Sequence, residues 1–267
     1  MIDLNMLTEQ VKQLALEIGA FLRNQRRNFQ AEKVVQKRSH DYVSYVDKES
    51  ERRIVERLHE LLPEAGFVAE EGSGIKKAEK YWWVVDPLDG TTNFIHDNAP
   101  YCVSIALMDE TEVLLGVVYE CCRDELFWAN KESHAFLNGH EIKVSDVNTL
   151  DQSLVLLGLP YDAEAYREFV TDMVRRLYGN TCSLRGLGSA AAELCYVACG
   201  RYDAYVEGFI YPWDVAAGSI ILRQAGGKIT DNDGGAAWTT GKEVVATNGH
   251  VHSELLLVVK DCADKFL

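Results

Sequence analysis

One stretch of the chain does most to decide the fold and the candidate site. It reads Tyr81-Trp82-Trp83-Val84-Val85-Asp86-Pro87-Leu88-Asp89-Gly90-Thr91-Thr92-Asn93-Phe94. The apolar residues 81–85 predict a buried strand that ends at Asp86-Pro87, because proline keeps the residue before it out of the helical region. Open α/β sheets bind ligands at the carboxyl ends of their strands. We therefore expect Asp86 and Asp89 at a ligand-binding edge.

The residue types of this stretch suit a metal ion and a phosphate. Two carboxylates three residues apart on a tight turn can converge on one cation, and the Leu88 carbonyl between them is a further oxygen ligand. Mg²⁺ prefers such all-oxygen sites together with phosphate oxygens. Gly90-Thr91-Thr92 predicts the start of a short helix whose free N–H groups face an anion. An Asp-rich surface turn is the alternative, but the length and order of the string favour function.

Two other acidic segments are candidates for the same site. Glu70-Glu71 follows a short predicted strand at 67–69, and Asp214 opens an apolar helix. Taken singly, the first is better explained as a solvated charge pair in a loop, and the second as an acidic residue favoured by the helix dipole. Only together with residues 86–94 do they form a pattern.

Hydrophobic periodicity places the remaining elements. Helices are predicted at 4–27, 47–62, 162–178, 188–199, 213–225 and 251–265. Strands are predicted at 102–108, 113–119, 125–129, 153–158, 202–206, 228–230 and 243–247, with a hairpin at 135–142 whose Asn138-Gly139 pair suits a type I′ turn. Mixed helices and meandering strands indicate α/β or α+β layers rather than a TIM barrel or a pure Rossmann fold.

Composition excludes several classes of function. The 267 residues carry 27 Lys and Arg against 41 Asp and Glu, a net charge of −14. This acidity disfavours nonspecific binding to nucleic acid or to anionic membranes, which needs clustered basic residues. The odd number of cysteines, seven, and their apolar surroundings predict buried thiols in a reducing cytoplasm. The N-terminus does not resemble a secretory signal, and no apolar run has the length of a membrane span.

The motifs resemble those of the inositol monophosphatase family, whose members are Mg²⁺-dependent, Li⁺-sensitive phosphatases. Residues 86–94 match the family's first signature, and Pro212-Trp213-Asp214-Val215-Ala216-Ala217-Gly218 is similar to its second. The likeness also includes 41–47, Gly188-Ser189-Ala190-Ala191 and Glu207. It implies an α/β fold of five αβαβα layers, of the fructose-1,6-bisphosphatase/inositol monophosphatase type. It implies one domain over 1–267, with an N-terminal metal-binding half of about 1–150 and a C-terminal half of about 151–267.

The resemblance also implies a reaction, a set of site residues and a homodimer. The reaction is hydrolysis of a sugar or cyclitol phosphomonoester by direct attack of water, with inositol 1-phosphate the foremost substrate. The implied ligands are Glu70, Asp86 and the Leu88 carbonyl for a first Mg²⁺, and Asp86, Asp89 and Asp214 for a second, with a weaker third near Glu70. Asp47 and Thr91, with Glu70, form the implied catalytic group. The implied substrate contacts are Glu70, Leu88, Asp89, Gly90, Thr91, Gly188, Ser189, Ala190, Glu207 and Asp214.

Several alternatives stay open. Thr92-Asn93 follows Asp-Gly-Thr where nucleotide-bisphosphate phosphatases usually have Lys-Glu, which leaves fructose 1,6-bisphosphate and histidinol phosphate as other substrates. Some bacterial relatives work with transcription complexes, so a protein-binding role is the alternative of another class. Asp47 is equally well explained as an N-cap of the helix 47–62. Lys37 or Arg38 is a substitute for a lysine that the family usually carries in this loop.

Overall fold

The computed structural model describes residues 2–29, 35–38, 41–72, 80–239 and 242–267, with the backbone alone at 35–38 and 41–43. The helices are α1 (Leu4–Arg27), α2 (Tyr45–Leu61), α3 (Thr91–Ile95), α4 (Ala163–Leu177), α5 (Ala190–Ala198), α6 (Pro212–Gln224) and α7 (His252–Phe266). The strands are β1 (Val35–Arg38), β2 (Asp41–Val43), β3 (Gly66–Ala69), β4 (Trp82–Asp89), β5 (Cys102–Met108), β6 (Val113–Glu120), β7 (Glu125–Asn130), β8 (Phe136–Leu137), β9 (His140–Glu141), β10 (Leu154–Leu157), β11 (Ser183–Arg185), β12 (Ala204–Gly208), β13 (Lys228–Thr230) and β14 (Glu243–Thr247).

Within the described ranges, the strands form two large sheets and one small sheet of two strands. The larger sheet has the order β3-β4-β5-β6-β7-β8-β9, in which only β3 and β4 run parallel. The second sheet has the order β11-β10-β12-β14-β13, with β10, β11 and β12 parallel and β14 antiparallel to its neighbours. Strands β1 and β2 pair antiparallel and form the separate small sheet. Parallel strands β10 and β12 therefore bring their following loops to the same edge.

Helices and sheets alternate in five layers. Helices α1 and α2 pack on one face of the larger sheet, and α5 and α6 fill the space between the two sheets. Helices α4 and α7 cover the far face of the second sheet, where Phe169, Met173 and Val259 join Val155 and Val245 in an apolar cluster. The expected αβαβα architecture is confirmed, because each sheet is apolar on both faces and needs a helical layer on each.

The strand that carries the two aspartates is longer than predicted. β4 does not end at Asp86-Pro87 but continues to Asp89. Asp86 pairs with Ser104 and Asp89 with Cys102, so three residue steps on β4 face two on β5. The extra residue is a bulge, and Pro87 fits there because it has no N–H to give to the ladder.

Other differences from the sequence-based predictions are small. Helix α2 begins at Tyr45 rather than at Asp47, and the short strand β11 was not predicted. The hairpin turn is confirmed, because Asn138 and Gly139 both have positive φ. All seven cysteines are free, but Cys122 and Cys182 are exposed rather than buried. Lys37 and Arg38 lie among the residues whose side chains the structure does not describe.

His252, at the start of α7, is held neutral by its surroundings. Its Nε2 contacts the Thr230 hydroxyl at 3.1 Å and its Nδ1 the Thr247 hydroxyl at 3.0 Å. The Thr230 hydroxyl already donates to the Asp231 carbonyl, so Nε2 must carry the proton and Nδ1 must accept one from Thr247. The Thr247 oxygen also accepts the Gly249 N–H. A second proton, on Nδ1, would displace the Thr247 proton from this contact, and burial lowers the pKa of His252 to about 4.

We expect this histidine to destabilise the fold in mild acid. Its pKa is lower in the folded state than the ordinary 6.5, so its stabilising contribution is complete above pH 6.5 and is lost as the pH falls toward 4. Between pH 7 and pH 5, wild type should lose about 2 kcal/mol more unfolding free energy than His252→Gln, which cannot be protonated. Denaturant unfolding of both proteins at the two pH values measures the difference. An equal loss in both would contradict the assignment.

Candidate active site

At the start of helix α2, Asp47 takes part both in the capping of the helix and in the candidate site. Ser44 donates its N–H and its hydroxyl to Asp47 Oδ2 at 2.9 and 2.7 Å, and its oxygen accepts the Val46 N–H. The other oxygen of the same carboxylate, Asp47 Oδ1, accepts the Thr91 hydroxyl at 3.0 Å. Asp47 is almost completely buried, and burial raises its pKa. Asp47 is therefore not the N-cap, as the alternative had it: Ser44 is, and Asp47 lies in the first turn of α2, where one carboxylate oxygen completes the cap and the other contacts Thr91.

The turn after β4 presents Thr91 at the start of α3. The Thr91 hydroxyl lies 3.0 Å from the Leu88 carbonyl as well as from Asp47, so its single proton can be donated to either acceptor. Gly90, just before it, has φ +86, a left-handed conformation that favours glycine. A Cβ there would lie 2.8 Å from the Pro100 carbonyl and 3.2 Å from the Ser189 Cβ. Glycine is therefore required for this close approach.

Three aspartates are fixed by hydrogen bonds to one oxygen each. Asp86 Oδ1 accepts the Leu88 N–H at 3.0 Å, and Asp214 Oδ2 accepts the Tyr211 N–H at 2.7 Å. Asp89 Oδ2 accepts three hydrogen bonds, from the Ser189 hydroxyl at 2.6 Å, the Ala191 N–H at 2.9 Å and the Cys102 thiol at 3.4 Å. These bonds fix the orientation of each carboxylate at the meeting point of β4, α5 and α6.

The carboxylates form a buried concentration of negative charge. Burial raises the pKa of Asp86, and repulsion from Glu70, Asp89 and Asp214 raises it further. Burial likewise raises the pKa of Asp214, with added repulsion from Asp89 and Glu70. Groups that repel one another in this way favour a shared cation.

Glu70 reaches the site from a turn that α2 supports. The Glu70 N–H donates to the Val85 carbonyl at 3.3 Å, which continues the pairing of β3 with β4. The next N–H, of Glu71, donates to Glu51 Oε2 at 2.7 Å. Glu51 is fully buried on α2. The sequence analysis did not single out Glu51. Its position on the apolar side of an amphipathic helix was the feature that could have identified it.

A cavity of about 590 Å³ opens above these groups. The predicted site residues that line it are Glu70, Asp89, Gly90, Gly188, Ser189, Ala190, Glu207 and Asp214. The other four, Asp47, Asp86, Leu88 and Thr91, do not line it. Thr91 follows Gly90, its hydroxyl contacts Asp47 and the Leu88 carbonyl, and Asp86 accepts the Leu88 N–H. The structure therefore gathers the predicted residues around one cavity, at the edge where β4, β10 and β12 end.

Glu207 stands at the side of this cavity. Its carboxylate accepts a hydrogen bond from the Tyr205 hydroxyl, and burial raises its pKa to about 7. It also packs against Gly158, where an added Cβ would lie 2.1 Å from the Glu207 Cδ. Gly158 follows β10, the strand next to β12, so this glycine makes room for the carboxylate.

Two residues that sequence reasoning did not assign hold the cavity wall at 187–188. The Asn93 side-chain amide donates to the Pro100 carbonyl at 2.8 Å and to the Leu187 carbonyl at 2.7 Å. Glu193 Oε1, on α5, accepts the Leu187 N–H at 2.8 Å. Asn93 therefore joins the turn after β4 to the loop before α5. Its place inside the 86–94 string was the only available signal.

Asn93→Asp is expected to lower the unfolding free energy by about 2–3 kcal/mol, because it turns two donors into oxygens that face two carbonyls. Asn180→Asp is the matched control, since Asn180 donates to the Arg176 carbonyl at an exposed position. That change should cost less than about 1 kcal/mol. Denaturant unfolding measures both, and equal costs would contradict the role given to Asn93.

Two negative findings apply to the part of the chain that the structure describes. No three of its His, Cys, Asp and Glu side chains form a ready-made metal-binding group. None of its helices combines the length and the apolar character needed to cross a bilayer.

Comparison with known proteins identifies the family. The profile of the inositol monophosphatase family matches residues 3–263. The chain is 36% identical over 225 residues to the fructose-1,6-bisphosphatase/inositol-1-monophosphatase of Thermotoga maritima, covering 84% of this chain and 85% of that protein. It is 36% identical over 227 residues to the Nus factor SuhB of Escherichia coli, covering 85% of each. The crystal structure of the extragenic suppressor protein suhB from Bartonella henselae superimposes with a TM-score of 0.90 at 33% identity, covering 96% of this chain and 98% of that one. The chain therefore belongs to the inositol monophosphatase family, as its motifs indicated.

Proposed function

We propose that this protein is a Mg²⁺-dependent phosphatase that hydrolyses a sugar or cyclitol phosphomonoester, with inositol 1-phosphate as the foremost candidate. The observation that carries the proposal is the group formed by the buried Asp86 and Asp89 and the partly buried Asp214, beside the Asp47–Thr91 hydrogen bond and at the edge of one cavity. Uncatalysed hydrolysis of phosphate monoesters is extremely slow, so charge neutralisation and positioning must supply most of the acceleration. This arrangement offers both.

The chemistry of the donors fits Mg²⁺, on which members of this family depend. All the candidate ligands are oxygens, and the pKa values of Asp86 and Asp214 are raised by mutual repulsion that a cation relieves. Glu70, Asp86 and the Leu88 carbonyl would hold one ion, Asp86, Asp89 and Asp214 another, and a weaker third ion would lie near Glu70. Bound Mg²⁺ supplies positive charge against the phosphate and makes water a better nucleophile.

The Asp47–Thr91 pair handles the proton of the attacking water. The Thr91 hydroxyl is too weak an acid to lose its proton near neutral pH, so it cannot serve as a base by itself. It donates that proton in a hydrogen bond to Asp47 Oδ1, which leaves the lone pairs of the Thr91 oxygen to accept from the water. A proton passed through Thr91 then reaches Asp47. Burial raises the pKa of this carboxyl, so it accepts a proton more readily than an exposed aspartate does.

Charge explains why an acidic protein can take an anionic substrate. The four ligand carboxylates carry four negative charges, which two Mg²⁺ ions balance before the phosphate arrives. The backbone groups of Gly90 and Thr91 would face the phosphate, and Gly188, Ser189, Ala190 and Glu207 would face the hydroxyls of the leaving alcohol. Without Mg²⁺ the same cavity repels phosphate.

A phosphate-release panel tests the proposal. Its substrates are inositol 1-phosphate, fructose 1,6-bisphosphate, adenosine 3′,5′-bisphosphate and histidinol phosphate, each with Mg²⁺, with EDTA and with added lithium. We expect release from inositol 1-phosphate with Mg²⁺, loss of activity with EDTA, recovery on adding Mg²⁺ back, and inhibition by lithium. Turnover that persists in EDTA would refute the metal assignment, and a higher kcat/KM for fructose 1,6-bisphosphate would replace the substrate. The homodimer and the single domain rest on the resemblance, and a cytoplasmic location rests on the cysteines; all three belong to the same proposal.

A second candidate is a role as a protein partner in a transcription complex. The observation that favours it is the similarity to proteins named Nus factor SuhB, at 36% identity over 85% of the chain. The net charge of −14 disfavours direct RNA contact but suits a basic protein partner. Pull-down from a lysate with wild type and Asp89→Asn separates the two functions. An adaptor keeps its partners in the variant, whereas a phosphatase loses its activity.

A further inference from the structure

Glu193 lies behind the cavity wall, in the first turn of α5, and only 1% of it is exposed. Its Oε1 accepts the N–H of Leu187, a residue that lines the cavity, at 2.8 Å. Its Oε2 is buried and has no hydrogen-bond partner among the described residues. The first turn of a helix attracts negative charge, but this effect is small beside the cost of burying a charge without a partner. The surroundings of Oε2 therefore suit a neutral carboxyl group.

A second carboxyl group, that of Glu207, acts on Glu193 from β12, the strand against which α5 packs. Glu207 lines the cavity, and its carboxylate accepts a hydrogen bond from the buried Tyr205 hydroxyl. Glu207 thus has a donor and an opening to the cavity, whereas Oε2 of Glu193 has neither. Because a hydrogen bond to the charged form favours that form, the negative charge belongs on Glu207.

The charges around this pair of carboxyl groups favour the same division. Burial raises the pKa of Glu193 well above its ordinary value, and repulsion from Glu207 and then from Asp89 raises it further. Burial raises the pKa of Glu207 only to about 7. The other titratable groups that face the pair are Tyr205 and Asp214. In the described part of the chain, none of the groups that act most strongly on Glu193 is positively charged.

We propose that Glu193 is a positioning residue that keeps a proton on Oε2 in the folded protein, so that Glu207 is free to ionise and to accept a substrate hydroxyl. The use of this proton in substrate binding deepens the phosphatase function proposed above and rests on it. Two buried carboxyl groups that repel each other hold one proton between them, because the second charge is opposed by the first. Neutral Glu193 still accepts the Leu187 N–H, so it holds the wall without adding charge against an anionic substrate.

Infrared difference spectroscopy of wild type and Glu193→Gln, at pH 8 with Mg²⁺, tests for the proton directly. We expect the C=O band of a protonated carboxyl group in wild type and its loss in Glu193→Gln. Glu120→Gln is the matched control, because Glu120 is as deeply buried but its two oxygens accept the N–H groups of Cys122 and Arg123. This control should keep the band. A band that Glu193→Gln leaves unchanged, or no such band in wild type, would overturn the inference.

Unfolding at several pH values gives a second readout of the same proton. Above the ordinary pKa of 4.5, the unfolded chain releases the proton while the folded protein keeps it. The stabilising contribution is therefore complete below pH 4.5 and is lost as the pH rises. Between pH 5 and pH 7, the unfolding constant of wild type should rise relative to that of Glu193→Gln by about tenfold per pH unit. The same pH dependence in both proteins would contradict the proposal.

Phosphate release with Mg²⁺ tests the positioning role. Glu193→Gln stays neutral and keeps an acceptor for the Leu187 N–H, so its KM for inositol 1-phosphate should stay close to that of wild type. Glu193→Leu is neutral but lacks the acceptor, and it should raise this KM about 3- to 10-fold, the value of one hydrogen bond. Its KM for ethyl phosphate, which has no hydroxyl group, should not change. Equal rises for both esters would overturn the positioning role, whereas no release from inositol 1-phosphate by wild type would overturn the phosphatase function and leave the infrared and unfolding results standing.

Discussion

Asp86→Asn is expected to lower kcat/KM for inositol 1-phosphate at least about a thousandfold, because it removes a carboxylate assigned to both metal ions. The same change should raise the unfolding free energy of the metal-free protein on the order of 1–2 kcal/mol. The reason is that burial and repulsion from Glu70, Asp89 and Asp214 raise the pKa of Asp86, so its charge is unfavourable in the fold. The asparagine oxygen still accepts the Leu88 N–H. Phosphate release and denaturant unfolding measure the two effects.

Asp203→Asn is the matched control, because Asp203 is a buried aspartate that directly precedes β12 and does not line the cavity. Asp203 accepts the Leu154 N–H on one oxygen and the Ser145 hydroxyl on the other, and an amide replaces one of these acceptors by a donor. This variant should lose about 1–3 kcal/mol of stability. The two substitutions thus differ in the sign of their effect on stability. Wild-type-like turnover of Asp86→Asn, or a stability loss parallel to that of Asp203→Asn, would end the metal assignment.

Asp47→Asn is expected to lower kcat by about 10²–10⁴-fold, the usual contribution of a positioned acid–base group. An amide that keeps its oxygen on the Ser44 N–H turns its NH₂ toward Thr91 and can no longer accept that hydroxyl. Thr91→Val should lower kcat to a similar extent. Because the two residues act through one hydrogen bond, the double variant should be no slower than the slower single variant by more than a few fold. Single-turnover kinetics of the three variants measures this coupling.

Ser44→Ala separates catalysis from helix capping. It removes the hydroxyl that donates to Asp47 Oδ2 and accepts the Val46 N–H, and so should cost about 1 kcal/mol of unfolding free energy. Asp47 Oδ1 stays available to Thr91, so kcat should fall by less than tenfold. If Ser44→Ala lost as much activity as Asp47→Asn, the effect of Asp47 would be one of structure alone.

Much of the fold could be predicted from local pattern. Apolar residues at helical spacing gave the bounds of α1 within one residue, and the Asn138-Gly139 pair predicted a turn with two positive φ angles. The strand β4 was predicted too short, because a proline after Asp86 suggests an end where the structure has a bulge. Whether proline ends a strand or occupies a bulge depends on the neighbouring strand β5, which no local pattern reveals.

The sequence by itself determined the family, the kind of chemistry and the candidate carboxylates, because Asp86, Asp89 and their neighbours carry their chemistry in their order along the chain. The tertiary structure decided how these residues work together. It divided the two oxygens of Asp47 between a helix cap and Thr91, made Asn93 a link to the loop before α5, and placed Phe209 in a strained conformation at the cavity wall. Each of these depends on contacts between residues far apart in the chain, where burial and hydrogen-bond geometry, rather than local propensity, fix the outcome.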